Sequence, residues 1–147
     1  MLLIWSILHN SGTFYSNGRV SMATFHGSCH CGRVQFEVDA EPTRLSECNC
    51  SICCMKGALY VPVPEISELR ILSGESDLTR YQFNTKTATH YFCKHCGIHT
   101  FHRPRLNPKL WSANARCLRD LDIRSLPVTH FDGSNWEATA RSEGWIK

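Results

Sequence analysis

The chain lacks the features that mark membrane-spanning, repetitive and nucleic-acid-binding proteins. Among its 147 residues no apolar run approaches the roughly 18 residues that a transmembrane helix requires. There is no internal repeat, no low-complexity tract and no long segment with a helical period. The 16 basic and 13 acidic residues leave a net charge of +3, which is too weak to indicate a nucleic-acid partner. We therefore expect one globular domain whose partners are neither membranes nor nucleic acids, and the sequence leaves its oligomeric state open.

Cysteine is the residue type that is unusually abundant. The nine cysteines form an odd number, and most of them lie in tight C-x-C and C-x-x-C pairs with no convincing signal peptide before them. These observations favour metal or thiol chemistry in the reducing cytoplasm over a secreted disulfide scaffold. An iron–sulfur cluster is a further alternative, although none of the spacings follows the usual ferredoxin patterns.

The first 21 residues differ in character from the rest. Their apolar start, MLLIWSIL, lacks a basic beginning, and residues 9–21 show neither a helical nor a strand period. We interpret residues 1–21 as a non-native or disordered leader and residues 22–147 as a single zinc domain. A loosely docked extra strand and a weak signal sequence are the alternatives.

Short segments of alternating apolar and polar residues predict an all-β domain of closely spaced strands. Residues 33–39 alternate with a period of two, as do residues 59–64, where two prolines indicate an edge strand. Helix is predicted only near residues 51–56 and 117–123. Further short strands are predicted at residues 69–72, 78–83, 89–92, 99–102 and 128–131.

Two pairs of cysteines can share one metal ion. Cys93 and Cys96 have the spacing of a zinc knuckle, and Gly97 permits the positive φ that turns the chain around the ion. Cys29 and Cys31 would point to the same side of an extended segment and supply the second pair. Four thiolates close the coordination shell, so we expect a structural zinc site at this place.

A second group of cysteines has three members with no obvious fourth partner. Cys48, Cys50 and Cys53 can bind one ion through three thiolates, and an open fourth position distinguishes catalytic zinc from structural zinc. Cys54 is favoured as a plain buried thiol, with a fourth ligand or a redox partner as the alternatives.

The remaining candidate residues have simpler interpretations. His99 and His102 are read as strand residues, and Cys117 as a buried apolar residue. Six basic residues follow the third cysteine pair, and we favour a solvated face over a rim that attracts a small anion such as a peptide carboxylate. These six are Arg103, Arg105, Lys109, Arg116, Arg119 and Arg124.

Five motifs in order resemble the glutathione-dependent formaldehyde-activating enzyme family, which also includes centromere protein V. The resemblance covers roughly residues 24–137. The motifs are GSCHCG at 27–32, CNCSIC at 48–53, FCKHCG at 92–97, NARCL at 114–118 and FDGSNW at 131–136.

The resemblance implies a compact β fold of short antiparallel strands like that of the Mss4 zinc proteins, with two zinc ions. In the family pattern, the positions of Cys29, Cys31, Cys93 and Cys96 hold structural zinc. Those of Cys48, Cys50 and Cys53 hold catalytic zinc. The chain is shorter than the named enzyme, so the resemblance implies the fold and the metals more directly than it implies the substrate.

The implied activity is a carbon–sulfur lyase reaction that adds a glutathione-like thiol to a small aldehyde such as formaldehyde. A metal-bound thiol is deprotonated and ready to attack the carbonyl carbon. Three protein thiolates weaken the Lewis acidity of the ion, so we expect it to present sulfur more than to polarise the carbonyl. His30, His95 and His99 are the candidates for supplying the proton. The alternative is a non-enzymatic zinc-stabilised protein-binding module resembling centromere protein V.

Overall fold

Ten short β-strands and two short α-helices occupy the described part of the chain, residues 22–63 and 69–147 of a computed structural model. The predicted leader lies outside the described residues. The strands are β1 Ala23–Ser28, β2 Gln35–Ala40, β3 Leu45–Cys48, β4 Leu59–Val63, β5 Leu69–Ser73, β6 Leu78–Tyr81, β7 Thr89–Cys93, β8 His99–Arg103, β9 Trp111–Asn114 and β10 Val128–Phe131. The helices are α1 Ser51–Lys56 and α2 Trp136–Ser142, with short 3₁₀ turns at Glu75–Asp77, Ala115–Cys117 and Gly133–Asn135.

The strands form two sheets, which confirms the all-β prediction. One sheet has the order β1-β2-β5 and the other the order β10-β3-β4-β9-β8-β7-β6. The strand pairs are antiparallel except for β10 and β3, which run parallel. Neither α-helix of the described chain has the length and apolar character that crossing a membrane requires.

Apolar side chains from both sheets meet in one core. Phe36 of β2 and Phe101 of β8 are fully buried, and their rings meet edge to face with centroids 5.1 Å apart. Val38 from the smaller sheet and Val61 from the larger sheet belong to the same cluster. Fully burying a side chain of this size stabilises the fold by roughly 1.5–3 kcal/mol. The alternation predicted for residues 33–39 and 59–64 therefore reflects this shared core.

Two hairpin turns present cysteines in the same way. The turn between β1 and β2 begins at Cys29, whose N–H donates to Val34 O (3.0 Å). In the turn between β7 and β8, the Cys93 N–H donates to Ile98 O (3.0 Å). Each turn contains a glycine with positive φ, which reaches 73° at the predicted Gly97. Cys31 also lies in a turn, so the prediction of an extended C-x-C segment is wrong, although both cysteines still project toward one point.

Three predictions about individual elements are wrong. Strand β4 is not an edge strand, because it lies between β3 and β9. Its pairing with β3 ends at Tyr60, whereas its pairing with β9 continues to Val63. Pro62 therefore faces a neighbouring strand only on the β9 side, and its missing N–H removes no hydrogen bond to β3. Residues 117–123 are not helical beyond the 3₁₀ turn that ends at Cys117. Helix α2 escaped prediction because seven residues make too few turns to show a period.

Candidate metal centres

The four-cysteine cluster, Cys29, Cys31, Cys93 and Cys96, lies where the two hairpin turns meet. Its sulfur atoms all lie within 4.8 Å of one another. Cys31 Sγ is 3.5 Å from Cys29 Sγ and 3.7 Å from Cys93 Sγ. Four sulfurs placed tetrahedrally about 2.3 Å from a zinc ion are about 3.8 Å apart. These distances therefore fit the donor set of a tetrahedral zinc ion, and the cluster joins the smaller sheet to the larger one.

The three-cysteine cluster, Cys48, Cys50 and Cys53, is built by the short connection from β3 to α1. Cys48 ends the strand, Cys50 precedes the helix, and Cys53 lies in its first turn. The three sulfur atoms also lie within 4.8 Å of one another. The structure thus brings together both groups of cysteines that the sequence analysis paired. None of the nine cysteines, all of which lie in the described ranges, forms a disulfide.

Hydrogen bonds among the three sulfur atoms perturb the pKa values of the cluster. The pKa of Cys50 is lowered because the thiols of Cys48 and Cys53 donate hydrogen bonds to its thiolate. The pKa of Cys53 is raised because its proton is held between the sulfurs of Cys48 and Cys50. Three thiolates this close together repel one another unless a positive charge lies between them. The residues therefore fit a soft divalent metal ion, for which thiolate is the preferred ligand.

A loop from the C-terminal part of the chain holds this cluster in place. Asp132 accepts hydrogen bonds from Asn49 Nδ2 (2.8 Å) and from Ser134 Oγ (2.6 Å), and Asn49 Oδ1 accepts one from the Ser134 N–H (2.9 Å). Side-chain hydrogen bonds from Ser134, Asn135 and Asn49 lower the pKa of Asp132, and that from Ser134 contributes most. Gly133 lies directly against the cysteines, because a Cβ atom at this position would overlap Cys48 Sγ and lie 3.1 Å from Cys50 Cβ. The FDGSNW motif therefore holds the loop that carries the three cysteines in place.

The three-cysteine cluster opens into a cavity of about 550 Å³, here called the thiol cavity. All three cysteines line it, whereas no member of the four-cysteine cluster lines either this cavity or the second cavity of the described structure. Its apolar lining comes from distant parts of the chain. The large aromatic side chains among the lining residues are Tyr60, Phe83, Phe131, Trp136 and Trp145.

Two buried side chains, Tyr60 and His99, lie behind Cys53. Tyr60 Oη lies 3.5 Å from Cys53 Sγ and 3.3 Å from His99 Nε2. His99 Nδ1 donates to the carbonyl oxygen of Tyr91 (2.9 Å), so Nε2 is left to accept the hydrogen of the Tyr60 hydroxyl. Burial lowers the pKa of His99 to about 3 and raises that of Tyr60, so both side chains are neutral. His99 thus orients Tyr60 and lies outside the thiol cavity.

None of the three histidines proposed as proton donors lies in the thiol cavity. His30 is exposed and lines the second cavity. His95 lies beside the four-cysteine cluster and pairs with Asp77 (2.7 Å).

The predictions for the remaining two cysteines have different outcomes. Cys117 is buried, as predicted, whereas Cys54 is exposed, so its interpretation as a plain buried thiol is wrong because its side chain points away from the core side of α1.

Two other histidines, His90 and His102, line the thiol cavity, and the sequence analysis missed their role. They are paired across β7 and β8. The spacing of the cysteine turn did not reveal this pairing, because the register of the hairpin shifts between Tyr91 and Phe92. Of the six basic residues after the third cysteine pair, Arg105 lines the thiol cavity and Arg116 lines the second cavity.

Comparison with known proteins agrees with these observations. The family model described as "Glutathione-dependent formaldehyde-activating enzyme" matches residues 24–131. The chain is also similar to a Rhodobacter sphaeroides protein whose crystal structure comes from a structural genomics programme. The sequences are 38% identical with a TM-score of 0.64, and the match covers 71% of this chain and 99% of that chain.

Proposed function

Because the chain belongs to the glutathione-dependent formaldehyde-activating enzyme family, we propose that it joins a small thiol such as glutathione to formaldehyde or a similar aldehyde. The product is an S-hydroxymethyl adduct, and the reverse reaction is that of a carbon–sulfur lyase. Both cysteine clusters hold zinc in this proposal. The four-cysteine cluster is structural, and Cys48, Cys50 and Cys53 hold the catalytic ion.

The contrast between the two clusters carries the proposal. The four-cysteine cluster has a complete set of ligands, and its members line neither cavity. The three-cysteine cluster has one ligand fewer and faces the thiol cavity. A catalytic zinc site keeps one position open for substrate. When bound there, the ion supplies a positive charge that keeps a substrate thiol deprotonated at neutral pH.

The protein's own residues prepare the cavity for a peptide-like thiol. Arg105 stacks on the Trp136 ring at 4.0 Å and donates to Glu137 Oε1 (2.6 Å), which fixes its guanidinium at the cavity wall. A guanidinium held in this way suits a substrate carboxylate. The apolar aromatic walls limit the access of water to the reacting sulfur, which protects the carbon–sulfur bond as it forms.

The reaction needs no redox partner. The thiol releases its proton to solvent when it binds, its sulfur attacks the carbonyl carbon, and the electron pair of the C=O π bond moves to oxygen. A proton from solvent then completes the hydroxyl group. Proton uptake and release therefore balance, and the chain has to orient sulfur and carbon and stabilise the negative oxygen.

Thiol titration of cobalt-substituted protein tests this proposal. We expect glutathione to change the ligand-field spectrum of the second site, and the zinc protein to accelerate exchange between free and hydroxymethylated glutathione in NMR exchange spectra. Cys50→Ser, which removes one ligand, should lose both responses while keeping the four-cysteine site. If glutathione alters neither the spectrum nor the exchange rate, the enzyme assignment is wrong and a zinc-stabilised binding module remains.

A further inference from the structure

A stacked pair of buried histidines forms part of the wall of the thiol cavity. His90 on β7 and His102 on β8 are paired across the strands, and their rings are 5.4 Å apart with only 14° between their planes. His90 is 3% exposed and His102 is 8% exposed, yet both line the cavity that contains the three-cysteine cluster. Tyr60 packs edge-on against His102 with ring centroids 4.4 Å apart. The pair is therefore packed into the wall of the cavity that the three cysteines also line.

The hydrogen bonds of these rings are incomplete. The Nδ1 atoms of His90 and His102 are sealed from solvent and have no hydrogen-bond partner. The Nε2 atoms of the same two rings are not sealed in this way. His99 differs, because Tyr91 and Tyr60 engage both of its ring nitrogens. Among the described histidines, His90 and His102 thus combine a place in the thiol cavity with ring nitrogens that lack protein partners.

Both rings are neutral, and their environment selects one tautomer. Burial lowers the pKa of His90 to about 4 and that of His102 well below its usual range. Lys56 adds to the effect in both cases, and the imidazoles of His90 and His99 add to it for His102. A neutral imidazole carries a single N–H. A hydrogen on the sealed Nδ1 would be a buried donor without an acceptor, which proteins avoid more strictly than an unused acceptor. The hydrogen therefore belongs on Nε2, where it can reach a molecule in the cavity.

We infer that His90 and His102 bind the carbonyl oxygen of the aldehyde as a pair of neutral N–H donors. The inference rests on the proposed function and names the groups that stabilise oxygen in that reaction. As sulfur attacks carbon, the electron pair of the broken π bond gathers on an oxygen that faces these donors. The rings keep their protons, and the oxygen takes its proton from water. Donors already in place for a developing oxyanion are an effective source of rate enhancement.

These donors supply what a metal site of three thiolates supplies poorly. Such a site is electron-rich and polarises a carbonyl weakly. Two neutral imidazoles in a largely apolar cavity offer hydrogen bonds without an added positive charge, so they do not compete for the substrate's negatively charged sulfur. The arrangement separates the two tasks, with sulfur held at the cysteines and oxygen at the histidines.

Phenylalanine and glutamine variants of the zinc-loaded protein test the inference. His90→Phe and His102→Phe keep a ring but remove the donor. We expect each to lower kcat about 10²–10³-fold, the usual effect of losing one oxyanion donor, while KM for glutathione and the content of two zinc ions stay unchanged. Gln places an amide N–H near the former Nε2, so His90→Gln and His102→Gln should restore most of the rate. His130→Phe is the matched control, because His130 is an exposed residue of β10 paired with Glu47.

A measurement without catalysis separates this inference from the proposed function. Long-range ¹H–¹⁵N spectra of the zinc-loaded protein should show the Nε2–H tautomer for His90 and His102. Formamide, a carbonyl compound that thiols do not attack readily, should shift those Nε2 signals and leave the signal of His130 in place. The Nδ1–H tautomer, an absent formamide shift or wild-type kcat in both Phe variants would overturn the inference. A further outcome is a protein that shows the Nε2–H tautomer and the formamide-induced shift but does not accelerate adduct formation. In that case the His90–His102 pair is a binding site for a carbonyl oxygen, and the proposed reaction is wrong. Should the Phe variants not fold, these wild-type spectra and the Gln variants decide.

Discussion

Gly133→Ala is expected to weaken metal binding at the three-cysteine cluster without affecting the four-cysteine cluster. The added Cβ would overlap Cys48 Sγ and lie 3.1 Å from Cys50 Cβ, inside the ~3.5–4.0 Å separation that non-bonded carbon atoms prefer. Both neighbours are short side chains anchored near the backbone. They cannot swing away as the end of a long side chain would, so relief requires movement of the loop that carries the cysteines.

The size of the effect follows from the clash and from the clamp around it. An extra methyl group in a well-packed site costs about 1–3 kcal/mol. The Asn49–Asp132–Ser134 hydrogen bonds hold the two loops together, so the strain has to be relieved largely by displacing Cys48. If all of it appears as lost metal affinity, zinc binds about 5–150-fold more weakly at this cluster. The four-cysteine cluster is formed by other turns and should keep its affinity.

Competition with a chromophoric zinc chelator measures this change, because the weaker site releases its ion first. Gly144→Ala is the control, since Gly144 also ends a tight turn but a Cβ there meets no atom within 4 Å. It can cost stability through its positive φ of 73° without touching a ligand. Wild-type zinc affinity in Gly133→Ala, with both ions retained, would refute the idea that this glycine sets the position of Cys48.

The other predictions concern the cysteines and the clamp. Cys96→Ser should give insoluble or unfolded protein, visible in circular dichroism, because structural zinc binding can be worth about 10 kcal/mol or more in small domains. Cys50→Ser should fold with a near-normal thermal midpoint and retain one zinc ion by elemental analysis. If Cys96→Ser folds and Cys50→Ser does not, the structural and catalytic roles of the two clusters must be exchanged. Cys54→Ser should keep both ions and full activity, since this thiol is exposed and lies outside both clusters. Asp132→Asn should weaken zinc at the three-cysteine cluster by about 10–100-fold in chelator competition, as expected for the loss of a group that supports the ligands.

The ligand groups could be predicted from the sequence because their geometry is local. Cys93 and Cys96 belong to one turn, and so do Cys29 and Cys31, so spacing alone indicates that each pair can share an ion. The three-cysteine cluster is equally local, lying between β3 and the start of α1. The alternation of apolar residues likewise identified several strands, because one face of each strand packs into the core.

The thiol cavity could not be predicted because it depends on strand order. Its walls come from the β3–α1 loop, the β7–β8 hairpin and the segment that follows β10. The parallel pairing of β10 with β3 brings the FDGSNW motif to the cysteines, and no local signal specifies that pairing. The positions of the candidate proton donors depend on strand order in the same way. His30, His95 and His99 all lie outside the thiol cavity, whereas the hairpin carries His90 and His102 into it.

The hairpin also links the two clusters physically. Its turn contributes Cys93 and Cys96 to the four-cysteine cluster, and its strands carry His90 and His102 along the wall of the thiol cavity. A metal ion bound at the turn would hold one end of this hairpin, and the register shift between Tyr91 and Phe92 then brings His90 opposite His102. The thiol cavity therefore depends on the four-cysteine cluster, but the four-cysteine cluster does not depend on the cavity, because the three-cysteine loop contributes no residue to that hairpin. Loss of the first ion should disorder the cavity of the second, whereas loss of the second should leave the first ion and the histidine pair in place.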